Sequence, residues 1–210
     1  MKQSISKYTY KEFKPHVNLK NAVDKIWVFE SIDEPGEDRK FRLIPDYTSS
    51  IIVITPLKKT SLQIFITGPN TNNHHIDNFT DQTTIGFRFY PGILPLMFKT
   101  DPVKFTNNSV LLKDVIAQPE YKTLYLKLLS SLNTRKKIST INSFILKLFN
   151  PLQPRQDELF SVIKKIVSAD GNVKLEEIYN GLFISERQFQ RKFLKFTGLS
   201  PKEFSRIVRF

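Results

Sequence analysis

The sequence predicts an α+β protein in two parts. A mainly-β segment over residues 1–150 ends in a helical hairpin, and an all-helical segment follows over 157–210. Three observations carry this. Short runs rich in β-branched and aromatic residues, separated by turn residues, fill the first hundred positions. The apolar period changes from strand-like to helical near Ser109. The polar stretch NPLQPRQD (150–157), with two prolines, then reads as a domain boundary, with 151–156 as linker.

The strand candidates are IWVFE (26–30), FRLI (41–44), SSIIVIT (49–55), LQIFIT (62–67) and TTIGFRFY (83–90). DEPGED, PDYT, TPLKKT, GPNTNN and PGILP punctuate them as turns, a pattern that suits a sandwich or barrel. Over 119–132, Tyr121, Leu124, Tyr125, Leu128, Leu129 and Leu132 fall at helical spacing. Ile138, Ile141, Ile145 and Leu148 repeat it over 136–149, with Phe144 and Phe149 on the flanks. The polar SLNTRKK between them predicts an antiparallel hairpin. Two roles for that hairpin stay open: closing the β-segment's own core, or pairing two copies.

Composition narrows the function. The chain has 210 residues, enough to bury a sizeable core. The absence of cysteine excludes a thiolate nucleophile, a disulfide framework and a sulfur-ligated zinc site. No apolar run reaches membrane-span length, and the N-terminus lacks a signal-peptide core, so a cytoplasmic protein without membrane contact is expected. His74 and His75 are adjacent, so in a strand they face opposite ways. With only His16 besides, no metal site is expected. Three histidines and no serine–histidine–aspartate arrangement argue against an enzyme, and no cofactor is expected. Trp27 reads as core, and Gly68-Pro69 and Pro91-Gly92 read as turns.

Charge points the other way, toward an anionic partner. Thirty-two Lys and Arg against twenty Asp and Glu leave a net charge of +12. The excess spreads over both segments, +8 in 1–150 and +4 in 151–210. It concentrates between Arg187 and Arg209, where seven basic residues meet one acid, Glu203.

That concentration lies in the most legible part of the chain. Leu159, Phe160, Ile163, Ile166 and Val167 make a helical stripe that Asp170-Gly171 ends. LEEIYNGL (175–182) is a short helix. Ser185 and Gln188 then have capping-box spacing, and Ile184 and Phe189 have the spacing of a hydrophobic staple. Phe189, Phe193 and Phe196 share one helical face; Arg187, Gln190, Arg191 and Lys195 share another. Gly198 is placed to end the helix. A second box, Ser200 with Glu203, opens the next helix at Pro201, stapled by Leu199 and Phe204.

A short helix, a turn and a longer helix with an Arg/Gln face describe a helix-turn-helix. Arg pairs with guanine O6 and N7, and Gln with adenine N6 and N7. Lys192, Lys195 and Arg206 suit phosphates, which position a protein without reading sequence.

SERQFQRKFLKFTGLSPKEFSRIVR resembles the signature of the AraC/XylS family of bacterial transcription regulators. The shared elements are Ser185, Gln190-Arg191, Phe193, Gly198, Ser200-Pro201, Phe204 and Arg209, and the resemblance covers roughly 157–210. It implies base contacts from Arg187, Gln190 and Arg191, with double-stranded DNA as partner. LIPDYTSSIIVI, ITGPNT and GFRFYPG resemble the N-terminal domain of one AraC-like subgroup. That implies a cupin-like barrel sensing a small-molecule effector, followed by helices that commonly make a homodimer.

Four departures from the family stand out. The chain ends at Phe210, inside the helix that joins the family's two helix-turn-helix units, so it reads as a truncated regulator carrying the first unit only. Tyr179 replaces a small residue. Lys174 stands where a capping Ser is expected. Phe183 replaces the turn Gly; a bulky residue tolerates positive φ badly, so the turn is expected to take another shape or shift toward Gly181.

Two rival readings accompany this one. A cupin-like small-molecule-binding protein or enzyme with a non-DNA-binding helical tail requires a bound metal. A protein–protein module requires indifference to loss of Arg187 and Arg191.

Overall fold

A computed structural model describes residues 7–32, 41–57, 61–76, 81–149 and 158–210. The expected linker, 151–156, lies outside the described residues. The fold is α+β, as expected: an antiparallel sheet over the first half, then helices.

The strands are β1 (Lys7–Phe13), β2 (Val23–Ile32), β3 (Phe41–Leu43), β4 (Ser49–Pro56), β5 (Gln63–Thr67), β6 (His74–Ile76), β7 (Gln82–Phe89) and β8 (Ser109–Leu111). Six of them make one sheet in the order β1-β2-β7-β4-β5-β8. β3 and β6 form a separate ribbon, which an isolated Asp46↔Asn70 bridge follows.

Side-chain alternation explains the core. Ile26 and Val28 on β2, Ile51 and Val53 on β4, Ile64 and Ile66 on β5, and Ile85, Phe87 and Phe89 on β7 are all buried at every second position. Central β7 pairs with β2 on one side and β4 on the other, which is why its Thr84 and Gly86 are buried too. Trp27 lies on the other face from Ile26 and Val28, partly exposed, with its ring over Gly86.

Three strands were not foreseen. β1 is an edge strand whose Tyr8 and Tyr10 stay exposed, and its Lys and Glu residues disguise its alternation. β6 and β8 are three residues each, too short for a periodic signal. Nor is PGILP only a turn: Gly92 caps a short helix, α1 (Ile93–Phe98), that buries Ile93, Leu94 and Met97.

The hairpin forms as α2 (Gln118–Leu129) and α3 (Thr134–Leu148). Asn133 caps α3 by accepting from the Lys136 N–H at 2.9 Å. Leu124, Leu128, Ile138, Ile141, Phe144 and Ile145 join the sheet core, so the hairpin closes the β-segment. Leu129 and Leu132 are exposed.

The second part comprises α4 (Glu158–Ser168), α5 (Leu175–Gly181), α6 (Glu186–Thr197) and α7 (Pro201–Arg209). Its separate core gathers Ile163, Ile166, Ile178, Phe189, Phe193, Phe204 and their neighbours. Phe160 packs against both cores.

Candidate nucleic-acid interface

The helix α6 begins where its local chemistry demands. The Gln188 N–H donates to Ser185 Oγ at 3.3 Å, and the Ser185 N–H donates to Gln188 Oε1 at 3.1 Å, so both halves of the capping box are made. The end is equally defined. Gly198 takes φ 84 and its N–H donates to Leu194 O at 2.8 Å. The Thr197 hydroxyl donates to Phe193 O at 2.9 Å and accepts from the Leu199 N–H at 3.1 Å, tying the elbow into α7. There the second box forms: the Glu203 N–H donates to Ser200 Oγ at 3.2 Å, and Ser200 donates to Glu203 Oε2 from its N–H at 3.1 Å and its hydroxyl at 2.6 Å. These bonds, chiefly the one from the Ser200 hydroxyl, hold the Glu203 carboxyl below its ordinary pKa of 4.5.

Phe189, Phe193 and Phe196 are buried, and aromatic contacts lock α6 down. The Phe189–Phe193 ring centroids are 5.7 Å apart, and Phe193 meets Phe204 edge-on at 5.4 Å. At about 100° per residue, Arg187 and Arg191 project from the opposite side and Gln190 from the flank next to Arg187. All three are exposed, as are Lys192, Lys195 and Arg206. The expected base-contacting trio thus lies together on one open helical face. Lys195 and then Lys192 continue round α6 beyond Arg191, and Arg206 stands on α7.

One member of this surface was missed. Glu186, in the first turn of α6, accepts from Gln190 Nε2 at 2.8 Å. The i, i+4 spacing was available as a signal. This bond uses one of the two N–H donors of the Gln190 amide and fixes its orientation, leaving the second N–H and the carbonyl oxygen uncommitted to Glu186.

The turn before α6 corrects the sequence expectation. Phe183 does take the left-handed conformation, φ 54; the turn neither changes shape nor moves to Gly181. The reason is a Schellman closure of α5. The Ile184 N–H reaches Tyr179 O at 3.3 Å and the Phe183 N–H reaches Asn180 O at 3.1 Å, which forces the left-handed state on the residue between helix and cap. The Phe183 side chain, 96% exposed, contributes no packing in return. Lys174 is the N-cap of α5 without a side-chain cap, and its ammonium sits 3.5 Å from Glu177 instead. Tyr179 packs against the same core, its ring 6.4 Å from that of Phe189. Arg209 Nη1 donates to Gly171 O at 3.1 Å, pinning α7 to the α4–α5 turn.

Residues 11–111 match DUF6597, a domain of unknown function. The match begins inside β1, ends with the last residue of β8, and leaves out α2 to α7. No curated protein and no solved structure matches the chain. Among the described residues no group of three His, Cys, Asp or Glu side chains is placed to hold a metal ion, and no helix is long and apolar enough to cross a membrane.

Proposed function

We propose that this chain is a DNA-binding transcription regulator of AraC type, in which α6 reads the major groove. The observation that carries the reading is the division of α6 into two faces. Three buried Phe residues fasten it to its own small core, while Arg187, Gln190 and Arg191 stand exposed away from that core. α5, the closed turn and α6 supply the helix-turn-helix frame for that face. Arg187 and Arg191 are bidentate donors for guanine, and Gln190 pairs with adenine through its second N–H and its carbonyl oxygen while Glu186 orients the amide. Lys192, Lys195 and Arg206 neutralise phosphates beside that face. The sheet domain, cupin-like in this reading, is the regulatory part, responding to a small-molecule effector or to a second copy of the chain. Cytoplasmic placement belongs to the same reading.

Fluorescence anisotropy on duplexes from the gene's own upstream region, across a salt series, tests it. Arg187→Ala and Arg191→Ala should each cost about 1–3 kcal/mol of discrimination between the preferred duplex and others. Lys192→Ala should weaken binding to all duplexes alike and flatten the salt slope by about one counterion. Unchanged binding in both arginine variants would reduce α6 to a surface helix.

A further inference from the structure

The turns that read as mere punctuation between strands lie where the helical unit meets the sheet domain. Thr106, in the turn before β8, donates its hydroxyl to the Gly198 carbonyl at 2.7 Å. Tyr47 places its ring 4.9 Å from that of Phe204 on α7. Two glycines, one from each side, give up the space of a side chain to the other. A Cβ on Gly92 would collide with the Phe196 ring, and one on Gly198 would lie 2.9 Å from Thr106 Oγ1 and 3.1 Å from Pro102 O. Both have φ 84, so the backbone too favours glycine there. The cavity left in this seam, between Ser49, Pro69, Phe196 and Thr197 among others, is about 10 Å³, room for about one water.

The sheet side of the seam is braced. The Asp46 and Asn70 backbones exchange hydrogen bonds of 3.0 and 2.7 Å, and Asp46 Oδ1 accepts from the Thr48 N–H at 2.8 Å. Arg88, on β7, lies 3.6 Å from the Asp46 carboxylate and 3.4 Å from that of Asp24. Asn107 accepts from the Thr71 N–H at 2.7 Å and donates its own N–H to Pro69 O at 2.8 Å, binding the two loops into one surface. What docks on this surface is the elbow from Phe196 to Ser200, the end of α6 away from Arg187 and on the side opposite its exposed face.

We propose that the turns around Tyr47, Gly92 and Pro102–Thr106 form a docking platform for the α6–α7 elbow, through which the sheet domain sets how α6 is presented. A closed, braced seam transmits displacement: a shift of the Gly92 or Pro102 turn moves the Phe196 ring or opens a void beneath it. The platform lies wholly within the region matching DUF6597. Docking stands apart from the DNA-binding reading; only its consequence for α6 rests on it.

Thiol chemistry in the full chain tests docking without DNA, because the chain has no cysteine of its own. Ser49→Cys puts a near-isosteric thiol in the seam, where Ser49 is buried. Thr84→Cys, in a separate chain, reports on the integrity of the sheet, since Thr84 is buried on β7. The seam thiol should react slowly with an aromatic disulfide reagent. Adding Gly92→Leu, which drives a side chain into the place of the Phe196 ring, should speed it about tenfold or more, equivalent to roughly 1.4 kcal/mol taken from docking. The sheet thiol should stay slow. If the wedge also exposes the sheet thiol, Thr106→Val replaces it and should raise the reactivity of the seam thiol several-fold with the sheet thiol unchanged. Fast reaction of the seam thiol without any wedge, or no acceleration by either variant while the sheet thiol stays protected, would overturn the platform. Anisotropy on the same variants separates the two ideas. An accelerated seam thiol with altered affinity for the preferred duplex supports both. Acceleration in a chain that binds no duplex keeps docking and removes the DNA reading. Acceleration with unaltered duplex affinity removes the control of α6.

Discussion

The two parts of this chain are held together by partners at different sequence distances. In the sheet domain, β2 takes both its neighbours from elsewhere, β1 before it and β7 much later in the chain, and β5 pairs with β8 across α1. Its core is mostly aliphatic and alternates strand by strand. In the helical unit, α6 and α7 take their starts and stops from residues only a few positions away, and the core they build turns on Phe189, Phe193 and Phe204. Helices whose ends are locally specified need tertiary contacts only for stability, whereas a strand needs them to exist as a strand. The platform around Gly92 and Thr106 joins the two kinds of order.

The largest perturbation separates the two cores. Phe193→Ala should cost about 3–5 kcal/mol, because Phe193 is fully buried and meets both Phe189 and Phe204. Hydrogen exchange read by mass spectrometry should show protection lost over 158–210 and largely kept in the β2, β7 and β4 ladders. Equal loss in both parts would mean that the seam makes them a single cooperative unit.

Smaller changes test local specification. Ser185→Ala and Ser200→Ala should each cost about 1 kcal/mol in denaturant unfolding, the usual worth of an N-cap. Ser200 carries a pH signature as well. The folded Glu203 carboxyl titrates below 4.5, so its contribution is present above that pH and is lost as pH falls through the lower folded value. The stability gap between the native chain and Glu203→Gln should therefore narrow as pH drops below 4.5.

The smallest effects run toward stability. Phe183→Gly removes left-handed strain from an exposed residue and should add up to about 1 kcal/mol. Lys174→Ser supplies the missing cap of α5, with Glu177 already three residues on to complete the box, and should add about 1 kcal/mol. Melting temperatures of the two variants and their combination check both. A loss in Phe183→Gly would mean that the aromatic ring contacts something in solution that it does not touch within this fold.

The helical unit was therefore readable in advance almost to the residue. Ser185, Gly198 and Ser200 act through bonds that span three or four positions, so their spacing alone announces where α6 ends and α7 begins. The exposed Arg187, Gln190 and Arg191 face follows from the same helical period once Phe189, Phe193 and Phe196 are assigned to the core. Phe183 marks the limit of that reading. Propensity argues against positive φ for phenylalanine, but two backbone hydrogen bonds closing α5 outweigh it. Strands β2, β4, β5 and β7 were visible through alternation, while β6 and β8, three residues each, exist because β3 and β5 offer them open edges. No local pattern could say that Gly92 makes room for Phe196 or that Thr106 bonds Gly198, 92 residues away. Helical period and caps are short-range chemistry written into consecutive residues. Strand order and the docking of one unit on the other depend on surfaces that exist only after both have folded.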